Sequence, residues 1–208
     1  MIPQLLCENI PIPSYKFMIL SIDTSSEIGS VALAENHHVV WRSYFKGKRH
    51  FSSLFDCLEK LNLASLKIEK IFVGTGPGSF SSIRVGIAAA QGISIAKNAS
   101  ILSIPSIWSI GLQFSHIPSL GIFSDARRGE LFCSLFSYGK LVKGPYLIER
   151  QKLTEIIKTL DLAVSPEALH DTMTQAFPRA EDFFLLPETC PPFDNTPFPE
   201  PIYLRGPV

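Results

Sequence analysis

The segment Lys70-Ile-Phe-Val-Gly-Thr-Gly-Pro-Gly-Ser-Phe-Ser-Ser-Ile-Arg-Val-Gly86 joins a short apolar run to a helical pattern through a glycine-rich loop. The run 70–74 predicts a buried strand, and the loop predicts a tight turn that approaches a ligand or another part of the chain. The helix that follows offers free N–H groups to an anion. The Lys-Ser or Lys-Thr pair of a Walker A loop is absent, and the third glycine comes one residue early for the dinucleotide fingerprint. The loop therefore fits either a phosphate contact or a tight turn without a ligand.

The helix predicted after this loop, about Ser82–Lys97, carries no charged residue from Val85 to Ala96. A helix that is apolar on all sides is buried on all sides. One face can cover the sheet of its own domain, and the other, made mostly of Ala and Gly, lets another helix approach closely. That second helix belongs either to a partner subunit or to this chain, where a helix is predicted over Phe51–Leu61. The predicted partner interface consists of Phe51, Leu54, Phe55, Leu58, Leu61, Val85, Ala88, Ala89, Gly92, Ile95 and Ala96.

Short apolar runs around these elements predict an α/β fold. In the first half they predict strands over 17–22, 30–34, 39–45, 70–74 and 101–104. The second half begins in the same way, with strands predicted over 120–124 and 131–136. Both halves place an aspartate at the end of a strand, then a tight turn, a glycine and a returning strand. After Glu149 the pattern is weaker and predicts a helix near 152–159, a strand near 160–164 and a helix after Ser165-Pro166-Glu167.

The two strand-end aspartates, Asp23 and Asp125, are candidate carboxylates for chemistry. In nucleotide-binding folds built from two halves, one carboxylate organises a metal ion, another can activate a nucleophile, and turn N–H groups hold phosphates. The alternative is an Asx turn, in which the side chain only caps its own hairpin. The candidate nucleotide or phosphate site consists of Asp23, Thr24, Ser25, Gly76, Gly78, Ser79, Asp125 and Arg127. Arg127 and Arg128 fit a phosphate of a nucleotide or of RNA, or an exposed turn.

The amino-acid composition limits the classes of protein to which this chain can belong. The 208 residues are 46% hydrophobic, their mean hydropathy is positive, and nineteen basic residues balance nineteen acidic ones. This composition excludes global disorder and does not indicate a basic nucleic-acid-binding domain. The longest uncharged apolar run is shorter than the roughly 20 residues that span a bilayer, and the N-terminus does not resemble a secretory signal. We expect a soluble cytoplasmic protein.

Cysteines and histidines indicate neither a disulfide framework nor a metal site. Cys7, Cys57, Cys133 and Cys190 lie far apart and form no CxxC pair, so reduced thiols are expected. The histidines, His37, His38, His50, His116 and His170, form no HxxxH spacing. No helix is therefore expected to offer two imidazoles on one face, and no metal site is predicted.

Four segments make the sequence recognisable. They are Ile19-Leu-Ser-Ile-Asp-Thr-Ser-Ser26, Gly76-Pro-Gly-Ser-Phe-Ser-Ser-Ile-Arg-Val-Gly-Ile87, Asp125-Ala-Arg-Arg-Gly-Glu130 and Pro201-Ile-Tyr-Leu-Arg205. In order and spacing they resemble the signature segments of the TsaB (YeaZ) family. His50 also falls where that family usually has a histidine, although Phe51 replaces its usual serine. The Gly-Pro-Gly-Ser-Phe segment is the specific one, because the opening strand and aspartate alone would fit many actin-like proteins.

The resemblance implies an actin/Hsp70-like (ASKHA) fold of two ribonuclease-H-like halves. In a departure from the family, the second half is expected to be shortened, because little sequence lies between Leu147 and Phe177. It implies a non-catalytic scaffold in making threonylcarbamoyladenosine beside the anticodon of tRNA. The implied partners are a catalytic transferase subunit of the TsaD type, a small ATPase subunit of the TsaE type and tRNA through the complex, with a homodimer when the chain is alone. It implies no cofactor in the isolated chain and places any ATP or ADP with Mg²⁺ at the interface with the partner. The alternative is an actin-fold ATPase or phosphotransferase that uses Asp23 and Asp125 with Mg²⁺.

Three regions are expected along the chain. Residues 1–17 form an irregular leader, with either Met1 or Met18 as the start. Residues 18–104 form the first half, which carries the partner-binding helices. Residues 105–208 form the second, shortened half with a proline-rich tail.

Overall fold

The computed structural model describes residues 17–46, 50–186, 198–202 and 204. Its strands are β1 (Phe17–Asp23), β2 (Ile28–Glu35), β3 (His38–Lys46), β4 (Lys67–Gly74), β5 (Ser100–Ile104), β6 (Leu120–Asp125), β7 (Glu130–Ser137), β8 (Lys140–Glu149), β9 (Leu162–Ser165) and β10 (Thr174–Gln175). Its helices are α1 (His50–Lys60), α2 (Phe80–Lys97), α3 (Ile107–Gln113) and α4 (Leu153–Ile157). Short 3₁₀ turns lie at Leu63–Ser65, Arg150–Lys152 and Ala180–Leu185, and we call the last of these the return segment.

The strands form two five-stranded sheets with the same order. The first sheet runs β3-β2-β1-β4-β5, and the second runs β8-β7-β6-β9-β10. In chain order, the first three strands of each sheet form an antiparallel meander. The fourth strand, β4 or β9, pairs in parallel with the first strand, β1 or β6. The repeat confirms the predicted duplicated ribonuclease-H-like halves of an actin-like fold. The second half is shortened, since β9 has four residues and β10 only two.

One face of the first sheet is covered by α1 and α2. Alternate residues of β1, including Met18, Leu20 and Ile22, point to this face because successive side chains of a strand point to opposite sides. They pack with Leu54 of α1 and Ile83 of α2. The loop between β4 and α2 begins at the carboxyl end of β4, beside the carboxyl end of its parallel neighbour β1. The candidate site was predicted at this edge of the sheet.

The other face of the first sheet is covered by α3 and by the return segment. Ile19 and Phe72 pack there with Phe183 and Phe184. The backbone of Ala180 is fixed from both sides, because Ser21 Oγ donates to its carbonyl at 2.7 Å and its N–H donates to Ser30 Oγ at 2.8 Å. A segment from the end of the second half thus completes the core of the first half. The boundary between residues 104 and 105 stays a prediction.

The structure of the second half differs from the prediction in three elements. The helix expected after Ser165 is wrong: the Glu167 N–H donates to Ser165 Oγ at 3.0 Å, and turns lead from there to β10. Neither α3 nor β8 was predicted. The predicted irregular leader, residues 1–17, is wrong at Phe17, which begins β1. Residues 1–16 lie outside the described residues, as do Cys190 and much of the proline-rich tail. Among the described residues no helix is both long and apolar enough to cross a membrane.

Candidate functional site

The turn after β1 and the glycine loop after β4 lie against each other, because β1 and β4 are parallel neighbours. The N–H of Ser79 donates to the carbonyl of Ser25 at 2.8 Å. A Cβ added to Gly78 would lie 2.1 Å from that carbonyl oxygen, so a larger residue would separate the two segments. The structure therefore brings together six of the predicted site residues: Asp23, Thr24, Ser25, Gly76, Gly78 and Ser79.

The carboxyl group of Asp23 is completely buried and serves its own turn. Its Oδ1 accepts hydrogen bonds from the N–H of Ser25 at 2.9 Å and from Ser25 Oγ at 2.7 Å. Its Oδ2 is buried without a well-aligned partner in the described part of the chain, although the Ser106 hydroxyl is nearby. Burial raises the pKa of Asp23, and hydrogen bonds from Ser106 and Ser25 oppose that rise. This geometry is the Asx turn, the alternative considered for this residue.

Other polar groups of the glycine loop are also bonded within the chain. The N–H of Gly76 donates to Ser106 Oγ at 3.0 Å, and the N–H of Ser106 returns a bond to the Gly76 carbonyl at 2.7 Å. Gly76 has a φ of +93°, a conformation that favours glycine. Thr24 Oγ1 donates to the carbonyl of Ser82 in the first turn of α2. Ser79 is exposed, and its hydroxyl lies 2.9 Å from that of Ser82.

Asp125 occupies the corresponding position in the second sheet, and its carboxylate is also bonded within its own turn. Its side chain is 28% exposed; Oδ1 accepts from the N–H of Arg127 at 2.8 Å, and Oδ2 forms an ion pair with Arg127 Nη1 at 3.3 Å. Burial raises the pKa of the neighbouring Glu167, and the charge of Asp125 adds to that rise. Asp125 and Arg127 therefore lie together, in a turn of the second half. Within the described residues, no group of three or more His, Cys, Asp or Glu side chains could hold a metal ion.

The predicted partner interface divides into a buried and an exposed part. Leu54, Leu58, Leu61, Val85 and Ala89 are buried in the core of the chain itself and do not form surface. The exposed part consists of Phe55 on α1 and of Ala88, Gly92, Ile95 and Ala96 on α2, and we call the latter four the α2 face. Ile95 is 85% exposed and Phe55 54% exposed. The side chain of Phe51 lies outside the described residues. The helix over 50–60 thus covers only one side of α2.

A groove of about 710 Å³ lies beside the α2 face, between α2 and the C-terminal segment. Val85, Ala88 and Gln91 line one wall, and Pro199 and Pro201 belong to the other. The N–H of Ile202 donates to the Thr75 carbonyl at 3.0 Å and holds this segment beside the glycine loop. This contact was not predicted, although Pro201 and Ile202 belong to one of the four signature segments.

A buried carboxylate on the return segment was also missed. Glu181 Oε1 accepts a hydrogen bond from the Tyr44 hydroxyl and forms an ion pair with Arg42 at 3.6 Å. Burial raises the pKa of Glu181 to about 7; the charge of Asp182 adds to the rise and that of Arg42 opposes it. Asp182 itself is held by Ser109 and Arg179. These contacts join residues far apart in the chain, so no sequence signal could have found them.

Comparison with known proteins gives matches of sequence and of structure. Residues 48–182 match the family described as TsaD: tRNA N6-adenosine threonylcarbamoyltransferase. The tRNA threonylcarbamoyladenosine biosynthesis protein TsaB of Bacillus subtilis is 29% identical over 127 residues, covering 58% of this chain and 55% of that protein. TsaB of Escherichia coli is 26% identical over 164 residues, covering 76% and 66%. YeaZ from Pseudomonas aeruginosa superposes with a TM-score of 0.64 at 19% identity, covering 81% of this chain and 88% of that one.

The matches differ in what they establish. The structural likeness to YeaZ supports the fold, since its sequence identity is low. The chain spans between about half and two thirds of the length of the curated relatives it matches.

Proposed function

The chain belongs to the TsaD family of tRNA N6-adenosine threonylcarbamoyltransferase proteins and, within it, to the TsaB/YeaZ group, and from this premise we propose that it acts in making threonylcarbamoyladenosine in tRNA. In this proposal the chain does no chemistry itself. It is a scaffold subunit that associates with a catalytic subunit of the TsaD type, together with a small ATPase of the TsaE type. Without the partner it forms a homodimer through the same surface.

The observation that carries this proposal is the exposed, uncharged α2 face. The helix has no charged residue from Val85 to Ala96, and Ile95 on it is 85% exposed. A Cβ added to Gly92 would have no atom within 4 Å, so this side of the helix is open. Small residues allow a second helix to pack at the short end of the usual 8–10 Å interaxial distance. Docking of a partner would remove this apolar surface from water, which favours association.

The polar residues support a scaffold over an enzyme. Asp23 is buried with Oδ1 bonded to Ser25, and Asp125 is bonded to Arg127 within its own turn. A ligand on Asp23 Oδ1 or on Asp125 would have to replace these contacts. The aspartates therefore support their own hairpins, β1–β2 and β6–β7.

The second candidate is the actin-fold ATPase or phosphotransferase. One observation favours it: the Asp23 turn and the Gly76–Ser79 loop lie together at the carboxyl ends of parallel strands. Ligands of open α/β sheets bind at such an edge. Titration calorimetry of the isolated chain with Mg-ATP tests this candidate. Saturable binding that is lost in Asp125→Asn would support it and would contradict a purely structural role for Asp125.

The scaffold proposal is tested by mixing the chain with the transferase subunit on a size-exclusion column. Gly92→Arg places a cation in the centre of the α2 face and should abolish co-elution while the circular dichroism spectrum stays unchanged. Ala89 is less suitable, because it is buried and an arginine there would disturb the core. Thr154→Arg, an exposed position on α4, is the matched control and should co-elute normally.

A modification assay on unmodified tRNA then separates binding from function. We expect modification by the transferase, the ATPase and this chain together, and its loss with Gly92→Arg. Normal co-elution and activity of Gly92→Arg would contradict the proposal.

A further inference from the structure

The hairpin between β6 and β7 holds its residues in an unfavourable backbone conformation. Arg127, Arg128 and Gly129 have φ values of +65°, +55° and +79°. The region of positive φ suits glycine and asparagine, and two-residue hairpin turns of this kind usually contain Asn-Gly. Here two consecutive arginines occupy it. Residues that violate a local preference cluster at functional sites, so the positions of these arginines call for a reason beyond the hairpin itself.

Packing does not supply that reason. The Arg127 side chain is 83% exposed, and Arg128 is also exposed. The turn is held by main-chain bonds instead: the Glu130 N–H donates to the Arg127 carbonyl, and the Ala126 N–H donates to the Glu130 carbonyl, both at 3.1 Å. The side chains thus project from a rigid base. Among the described residues, no hydrogen bond or ion pair of the hairpin involves the Arg128 side chain.

A third arginine joins them. The N–H of Arg150 donates to the carbonyl of Gly129 at 2.9 Å, so the start of the 3₁₀ turn after β8 lies against the hairpin. Arg150 is exposed, and one of its guanidinium nitrogens lies 3.5 Å from the Leu169 carbonyl. The backbone thus brings all three arginines to one end of the second sheet.

Acidic residues also lie beside the patch: Asp125, Glu130 within the hairpin, and Glu149. Asp125 pairs with Arg127, and Glu149 pairs with Lys152. Among the described residues Arg128 forms no ion pair, and Arg150 contacts only backbone carbonyls. A guanidinium has five donors in a planar fork that matches phosphate, and the carboxylates of the described residues take up none of those of Arg128 and Arg150. The patch can bind phosphate oxygens without giving up the bonds that hold the hairpin.

We infer that the arginine patch, Arg127, Arg128 and Arg150, binds the phosphate backbone of a folded RNA. The inference rests on the proposed function, which brings a tRNA to the complex. The arginines stand on the outer end of a hairpin and spread over two chain segments. Such an arrangement suits successive phosphates of a strand better than a single phosphate, which needs donors that converge.

The strain gives the test a specific signature. Arg128→Asn creates the favoured Asn-Gly pair, so it should raise the Tm by about 2–4 °C while weakening binding of an unmodified tRNA transcript severalfold. The slope of log K against log salt should fall by about 1, as expected when one phosphate contact is lost. Arg150→Gln should weaken binding similarly without raising the Tm. Lys158→Gln, which removes an exposed cation elsewhere in the same half, is the matched control and should change neither.

Binding is measured by fluorescence anisotropy with the full chain, alone and mixed with the transferase subunit. Unchanged tRNA affinity in both arginine variants would overturn the inference, as would absence of tRNA binding by the unsubstituted chain in both settings. Loss of Mg-ATP binding with intact tRNA binding would assign the phosphate to a nucleotide and would also overturn it. Co-elution with the transferase subunit is recorded in parallel. Failure of the unsubstituted chain to co-elute would contradict the proposed function, whereas the tRNA result for the chain alone would stand.

Discussion

Replacing Asp23 separates a structural carboxyl group from a ligand-binding one. Asp23→Ala removes the acceptor of two buried donors, the N–H and the hydroxyl of Ser25. Each buried donor left without a partner costs about 1–3 kcal/mol, so the free energy of unfolding should fall by about 2–6 kcal/mol. Asp23→Asn keeps the carbonyl acceptor and places an amide donor at the position of Oδ2, beside the Ser106 hydroxyl. It should remain within about 1 kcal/mol of the unsubstituted chain.

Urea unfolding at pH 7, followed by circular dichroism, measures both changes. A structural role predicts that Asp23→Asn tracks the unsubstituted chain and that Asp23→Ala has a much lower midpoint with an unchanged m-value. If the asparagine variant lost as much stability as the alanine variant, the negative charge itself would matter. That outcome would refute the assignment of Asp23 to its own turn and would favour a bound cation.

Three further changes probe other parts of the account. Glu181→Gln removes a carboxyl group whose buried site raises its pKa from 4.5 to about 7, so the folded chain holds an extra proton between these values and loses stability as pH rises through them. Urea unfolding at pH 5 and pH 8 should show this loss, about 3 kcal/mol at most, in the unsubstituted chain and not in the variant; equal losses would contradict the burial of this group. Gly92→Ala should raise stability by about 0.5–1 kcal/mol in thermal denaturation of the diluted, monomeric chain, because its Cβ meets no atom and glycine disfavours helix; a lower Tm would show that this side of α2 is packed within the chain. Phe183→Ala should cost about 3–5 kcal/mol and broaden amide resonances of the first sheet, since the return segment packs there; a loss confined to the second half would contradict this packing.

The first half of the fold could be predicted because its elements carry clear periodicities. The prediction placed β1, β2, β4 and α2 within a few residues of their observed bounds. The strand β8 was missed because Gly144 and Pro145 interrupt it and its side chains are mostly half-buried or exposed, as on an edge strand. The helix α3 has only seven residues, too few to establish a helical period.

The sequence predicted which residues lie together at the candidate site, and it did not predict what each of them does there. Asp23 and Gly78 are local signals, and the parallel pairing of β1 with β4 follows from the actin-like order of elements. Whether a strand-end aspartate meets a ligand or its own turn depends on burial, which residue spacing does not reveal. The same limit applied to Leu54 and Leu58, whose helical spacing fits a core or an interface and which the structure buries in the core. The Glu181 cluster depends on contacts across more than 130 residues and left no trace in the sequence pattern.

Amide hydrogen exchange of the chain, first diluted to its monomer and then bound to the transferase subunit, tests docking on the α2 face most directly. Docking there predicts slower exchange in peptides that cover residues 84–97 and no change in peptides that cover β6 and β7. Stable binding that leaves 84–97 unchanged and protects another surface would contradict it.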